Sequence, residues 1–345
     1  MTTPIDTEAL VIGAGPVGLF QVFQLGLQGI HAHVVDALPH VGGQCTELYA
    51  GKPIYDIPGI PFCTGSELVD RLQQQVAPFK PTLHLGQQVS HVERLPDQRL
   101  QVQTASGPTF QTQTLFIAAG VGAFVPRRMV LDGLSPFEGT QVFAEHPTPE
   151  RWAGQHLVVA GDGDTALQTC LDASQGPQAA ASVTLLHRRD QFSAAPELIA
   201  PMRQACAAGH MRFVAGQPTG LRAEGGRLQA LELLNPQGNT EWLSLDVLQT
   251  CLGLSPKLGP VAQWGLAMER KQLVVNTENY ATSEPGIFAV GDINTYPGKK
   301  KLILCGFHEA TLAAFGAVAL LRPEEKTLLQ YTTTSTLLHQ RLGVA

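Results

Sequence analysis

The residues of this sequence that could do chemistry are mostly glycines, and the chemistry they point to is the holding of nucleotide phosphates. Gly13, Gly15 and Gly18 stand in G-x-G-x-x-G spacing directly after an apolar run at 9–12. Each has its own expected role. Gly13 makes a tight turn, Gly15 lets a pyrophosphate approach the backbone, and Gly18 lets helix and strand pack closely. The pyrophosphate would rest on the N-terminus of the following helix, where free N–H groups and the helix dipole favour negative charge. That matters because no Lys or Arg precedes Lys52. Asp36 ends a second apolar run, 31–35, eighteen residues beyond Gly18. An acid at that distance can accept hydrogen bonds from both hydroxyls of a ribose.

Gly161, Gly163 and Ala166 repeat the spacing after an apolar run at 157–160, and Asp164 and Thr165 open the helix expected next. Here the following run, 182–186, ends not in an acid but in His187, Arg188 and Arg189. A carboxylate would repel a ribose 2′-phosphate, whereas guanidinium groups bind it through charge-assisted, often bidentate hydrogen bonds. The second nucleotide is therefore expected to be NADP(H). The plainer alternative is a basic loop that faces solvent.

The elements that must position these residues are short strands and helices in alternation. Residues 17–28 carry helical apolar spacing at Val17, Phe20, Val22 and Leu25. Residues 285–296 contain a short apolar strand ending in Gly291-Asp292, and 114–122 read as a companion strand with its glycine turn. In two-dinucleotide flavoproteins an Asp placed like Asp292 binds the ribityl or pyrophosphate part of FAD. The fold class is thus α/β, a flavoprotein with two Rossmann-like dinucleotide-binding domains. An FAD-binding domain of 1–122 and 254–345 is interrupted by an NADP-binding domain of 123–253. The connections at 120–126 and 253–260 are rich in Gly and Pro.

Composition narrows the function. A hydrophobic content of 44% excludes a disordered chain, and a net charge of -6 argues against nucleic acid or an anionic membrane as the main partner. The apolar run at 312–321 is half of the ~20 residues a bilayer span needs, and the N-terminus lacks a basic flank. A cytoplasmic protein is expected. The eleven His are dispersed, and no cluster accompanies His31 and His33, so no metal site is expected. The six Cys form no C-x-x-C pair.

The order of the two glycine loops, Gly42-Gly43-Gln44, Ala118-Ala119-Gly120, His187-Arg188-Arg189 and Gly291-Asp292 resembles the thioredoxin reductase family over nearly the whole chain. Members carry a redox C-x-x-C just upstream of the second loop, where this chain reads VFAEHP at 142–147. The glutathione reductase relatives place C-x4-C after the first Gly-Gly, where Cys45 is followed five residues on by Ala50. With both dithiol positions empty, electrons delivered by NADPH must leave directly from the flavin. Cys45 reads better as a small buried residue than as a nucleophile. The subgroup that fits is the thioredoxin-reductase-like ferredoxin–NADP(+) reductases, on GGQCTELY (42–49), GVGAF (120–124), GDINTYPGKKKLI (291–303) and a C-terminal extension.

That resemblance implies roles residue by residue. Asp36 would bind the adenosine ribose, and Val89 the adenine through its backbone. Gly43, Gln44 and Tyr49 would contact the flavin half, with the Tyr49 ring stacked on the isoalloxazine. Phe124 would lie at the connection near the flavin, and Asp292 on FAD. From the tail, Tyr331 would stack on the other flavin face and Thr333 would hydrogen-bond. No side chain is needed as a catalytic acid or base. The implied partner is ferredoxin or flavodoxin, docking by way of Lys299, Lys300 and Lys301 with Arg127 and Arg128. A homodimer is also implied. Two rival functions stand beside it: an NADPH-dependent disulfide reductase using Cys45 or an external thiol, and a non-catalytic sensor of FAD and NADP(H).

Overall fold

The computed structural model describes residues 3–144, 147–325 and 329–344, leaving aside the side chains of Phe124 and Pro256. The chain divides into two compact units, Met1–Ala123 with Pro256–Ala345, and Phe124–Ser255. The crossing segments Ala123–Pro126 and Leu254–Lys257 pair with each other as a two-stranded sheet.

In the first unit the strand Ile5–Ile12 lies between two parallel neighbours, Ala32–Val35 and Thr109–Ile117. Thr82–His84 extends the sheet parallel to Ala32–Val35, and Ile287–Ala289 pairs parallel with the C-terminal half of Thr109–Ile117. The N-terminal half of that long strand pairs antiparallel with Leu100–Thr104 instead, which continues to Val89–Arg94. The strand order reverses at Ile5–Ile12, so its carboxyl end is the switch point where a parallel sheet opens a crevice. The first glycine loop occupies that end. Its strand is buried at Ala9, Leu10 and Val11, the near-continuous apolar run expected of a sheet covered on both faces.

The helix Pro16–Leu27 begins after Gly15 with proline in its first turn, where a missing N–H costs nothing. It packs against Gly65–Val76 and against the long helix Ile303–Leu321. The second of these spans 19 residues and is apolar enough by length and composition to cross a membrane. That is longer than the run at 312–321 indicated. Yet it buries Glu309 completely, together with Ala310, Ala313, Ala314 and Ala317, against the core of the first unit. Small residues let it approach closely; a methyl added at Gly306 would come 2.4 Å from Val17.

The second unit is built around a five-stranded parallel sheet in the order Val142–Phe143, Val247–Cys251, His156–Gly161, Ser182–His187, Arg212–Ala215. The helices Asp164–Ala173 and Pro196–Ala207 enclose one core with it, around Leu167, Cys170 and Met202. A three-stranded antiparallel sheet, Gln217–Glu224, Arg227–Leu234 and Thr240–Ser244, supplies Leu231, Leu233 and Leu243 to a second core.

Candidate functional site

In the first unit the backbone leaves no room for a side chain at the first and third glycines of the loop. Gly13 has φ +109, and a methyl there would lie 2.4 Å from the Ala118 carbonyl oxygen. A methyl on Gly18 would lie 1.8 Å from the oxygen of Gly13. Gly15 precedes the helix and meets the bare backbone of Gly43, whose added methyl would be 3.2 Å from the Gly15 Cα. The Gly42 N–H donates to the Ala14 carbonyl at 2.9 Å, hanging the 42–43 turn on the loop. No side chain caps the helix start and no acid stands in its first turn. The result is a concavity of backbone at a positive helix end, which suits a phosphate.

Asp36 is 9% exposed, and both its oxygens are engaged: Oδ2 accepts from the Ala14 N–H at 2.6 Å and Oδ1 from the Leu38 N–H at 2.7 Å. The carboxylate thus ties the glycine loop to the strand end while each oxygen keeps a further lone pair. Burial raises its pKa, and the two backbone donors oppose that rise. The Asp36 N–H donates to His84 O at 3.1 Å and its carbonyl accepts from the Gln87 N–H at 2.8 Å, which brings the start of Val89–Arg94 beside it.

At the other side of the loop Gln44 Nε2 reaches Asp292 Oδ2 at 3.5 Å, and a methyl on Gly120 would lie 3.3 Å from that same amide nitrogen. Gln44, Asp292 and Gly120 therefore converge. The Tyr49 hydroxyl is raised in pKa by burial first, then by its hydrogen-bonded neighbour Cys45 and by the Asp292 carboxylate. Its phenol lies beside the Cys45 thiol. Cys45 itself is fully buried and burial pushes its thiol up, so it is poorly suited to act as a nucleophile.

The second unit reproduces the turn. A methyl on Gly161 would lie 2.4 Å from the Cys251 carbonyl oxygen, the counterpart of Ala118. Gly163 precedes the helix Asp164–Ala173 without a side-chain cap. The segment after Ser182–His187 folds back over the loop: Ser193 and Ala194 N–H donate to Asp162 O at 2.9 and 3.1 Å, and Ala195 N–H to Asp164 Oδ1 at 2.7 Å. Asp164 thereby braces the 193–195 segment through one oxygen and stays exposed. Asp190 is held by Arg203, whose guanidinium also lies over Phe192. Arg188 and Arg189 are exposed, and among the described residues neither pairs with a carboxylate. Thr165 lines a cleft of about 390 Å³ beside Trp152 and Asp172. Burial lowers the His187 pKa, and the two arginines add to that.

Some expected sites fall elsewhere. Lys299 is not a surface docking residue: its side chain is 7% exposed and paired with the buried Glu309. Arg128 pairs with Glu138, and Arg127 Nε donates to the Leu254 carbonyl at 3.2 Å. Lys300 and Lys301 remain exposed. Tyr331 is 65% exposed and Thr333 is exposed too. Their tail continues into the helix Thr336–Leu342, which docks through Arg341 on the Leu27 carbonyl. That is the end of Pro16–Leu27 remote from the glycine loop, about 18 Å away at 1.5 Å per residue. The Phe124 side chain lies outside the described residues, as do Glu145 and His146 of the 142–147 stretch. Glu309, which sequence reasoning missed, bonds the backbone of the Asp292 turn.

Residues 7–310 match the family described as pyridine nucleotide-disulphide oxidoreductase. The chain is 57% identical over 342 residues to a protein named ferredoxin–NADP reductase from Albidiferax ferrireducens, covering 99% of this chain and 97% of that one. It is 58% identical over 350 residues to one of the same name from Paracidovorax citrulli, with coverage of 99% and 97%. Among solved structures it resembles the thioredoxin reductase of Lactococcus lactis (TM-score 0.55, 21% identity, covering 91% of this chain and 99% of that one). It also resembles the bacillithiol disulfide reductase of Staphylococcus aureus (TM-score 0.60, 15% identity, 91% and 99%). These two likenesses concern the fold alone. The chain belongs to the pyridine nucleotide-disulphide oxidoreductase family and, within it, to the ferredoxin–NADP reductases.

Proposed function

We propose that this chain catalyses electron transfer between NADP(H) and ferredoxin through FAD held in its first unit. The observation that carries the reading is the state of the cysteines. All six are free; the one in the glutathione-reductase-like position, Cys45, is buried with a raised thiol pKa and serves the Tyr49 hydroxyl. A flavoprotein without a dithiol relay must pass electrons straight to an outside carrier. Bound FAD supplies the step between a two-electron hydride donor and a one-electron carrier.

The residues present fit that group. The bare backbone of Gly13, Gly15 and Gly43 and the uncapped helix suit its pyrophosphate. Asp36 has lone pairs left for the ribose, and the backbone beside Val89 suits the adenine. Gln44 and Asp292 flank the flavin half, and the Tyr49 ring, packed against the core, offers it a stacking face. Gly161, Gly163, Asp164 and Thr165 form the NADP(H) loop, with Arg188, Arg189 and the uncharged His187 at its 2′-phosphate end. Asp164 contributes by fixing the 193–195 segment rather than by meeting phosphate, which its charge would repel.

Ferredoxin, an acidic carrier, would be drawn by Lys300 and Lys301, which flank the Asp292 turn; flavodoxin shares that chemistry. The homodimer and the cytoplasmic setting rest on family resemblance. The assignment is tested by mixing the enzyme anaerobically with NADPH and either ferredoxin or a thioredoxin-type disulfide. Rapid ferredoxin reduction with no disulfide turnover is expected; the reverse would restore the disulfide-reductase reading.

A further inference from the structure

The Asp292 turn is gripped from beneath by charges. Gly291, at φ +79, donates its N–H to Glu309 Oε2 at 2.7 Å, and its carbonyl accepts from Lys299 Nζ at 2.9 Å. Lys299 and Glu309 also bond each other. An ion pair thus closes around both backbone groups of the residue before Asp292. Asn294 Nδ2 adds a bond to Glu309 Oε2 at 2.8 Å and the Tyr296 hydroxyl one to Oε1 at 2.9 Å. Every oxygen of Glu309 is therefore satisfied, although the residue has no exposure and sits on an otherwise apolar helix. Taking two charges out of water carries a desolvation cost that neutral, well-packed residues would avoid. Gly291 alone would not demand charge, since a neutral amide and hydroxyl could bond the same two backbone groups.

We propose that Lys299 and Glu309 are positioning residues of the flavin site: they hold Gly291 in its left-handed conformation, aim Asp292, and leave a balanced charge pair next to the flavin. This rests on the reading that Asp292 belongs to the FAD site. A balanced pair has a signature that packing lacks. Removing the cation leaves a net negative charge near the ring, which disfavours added electrons; removing the anion does the opposite.

The test uses the full-length holoenzyme and the variants Lys299→Met, Glu309→Gln, the two combined, and Asp292→Asn. FAD dissociation constants and flavin midpoint potentials are measured, with 2′,5′-ADP binding as a control for the second unit. The single variants are expected to weaken FAD binding about tenfold or more, because each leaves a buried charge without its partner. Their potentials should move in opposite directions, down for Lys299→Met and up for Glu309→Gln. The combined variant is neutral and should fold even where the single ones do not. It should return to near the original potential while still binding FAD more weakly, since Gly291 has lost its lysine donor. FAD affinity unchanged in the combined variant overturns the proposal. So do potentials that fail to split by sign in single variants that fold. If Asp292→Asn alone leaves FAD affinity unchanged, the underlying reading of Asp292 fails instead.

Discussion

The two glycine loops share one backbone design and differ in everything around it. In each, the first glycine packs against a carbonyl at the end of a neighbouring strand, Ala118 just past Thr109–Ile117 in one unit and Cys251 in the other, at the same 2.4 Å to an added methyl. In the first loop the third position has no room, because a methyl on Gly18 would strike the Gly13 oxygen; in the second, Ala166 occupies that position and is fully buried. The first loop ends at a buried aspartate bonded to two backbone N–H groups, and no Lys or Arg stands near it in sequence. The second ends at two exposed arginines that pair with no carboxylate among the described residues, the nearby Asp190 being taken by Arg203. The first arrangement suits a nucleotide bound by backbone and kept; the second suits one drawn in by charge and released.

Gly18→Ala should have the largest effect. The clash cannot relax into a flexible side chain, and overpacking of this kind costs about 1–3 kcal/mol or more. FAD affinity is expected to fall about a hundredfold or more, roughly 2.8 kcal/mol, and the flavin content of the purified protein, read as absorbance of the flavin band against protein, should fall with it. The mirror substitution Ala166→Gly in the second loop should leave flavin content unchanged, and an equal loss there would erase the distinction between the loops.

Asp36→Ala comes next. It orphans two buried N–H groups at about 1–3 kcal/mol, so FAD affinity should fall about ten- to hundredfold. The pH behaviour has a defined sign. Burial raises the Asp36 pKa above its ordinary 3.8, so the folded protein disfavours the ionised form. The stability this group contributes is present below 3.8 and is lost as pH rises through the folded value. FAD binding favours the ionised acceptor and runs the other way: the FAD dissociation constant should rise as pH falls through the Asp36 pKa of the FAD-free protein, which lies above 3.8, a step absent from Asp36→Ala.

Smaller again is the effect of Lys300→Ala with Lys301→Ala. Removing steering charge should raise the ferredoxin KM about three- to tenfold and flatten its salt dependence, leaving the NADPH KM unchanged. Steady-state kinetics at two ionic strengths check this. The smallest is Cys45→Ser, whose hydroxyl keeps the bond to Tyr49. Ferredoxin reduction should stay within about twofold of wild type, roughly 0.4 kcal/mol, and a thiol-reactive dye should label the native Cys45 slowly because its thiol stays protonated.

Much of this site is legible in the amino-acid order. Local spacing is enough for the two loops, for Asp36 and for the Arg188-Arg189 end, because each lies within one strand–turn–helix unit whose geometry the glycines dictate. What cannot be read locally is depth. Three consecutive lysines look like one basic patch, yet Lys299 turns inward to Glu309 ten residues on, and only the apolar helix around that glutamate hints at it. The docking of the tail is equally unreadable locally: the helix Thr336–Leu342 is held by Arg341 on a helix end more than three hundred residues earlier. Asp164, which the spacing marks as a loop residue, also braces Ala195, a bond between segments thirty-one residues apart that spacing does not show.

The contrast between the loops is tested most directly by kcat/KM for NADPH and NADH, measured with ferredoxin as acceptor in the native enzyme and in Arg188→Ala with Arg189→Ala. The native enzyme should prefer NADPH strongly. The double variant should lose about a hundredfold or more of its NADPH efficiency, from charge-assisted bonds of roughly 1.5–3 kcal/mol each, with NADH efficiency and flavin content unchanged. A native preference for NADH, or an equal loss with both nucleotides, would contradict the account.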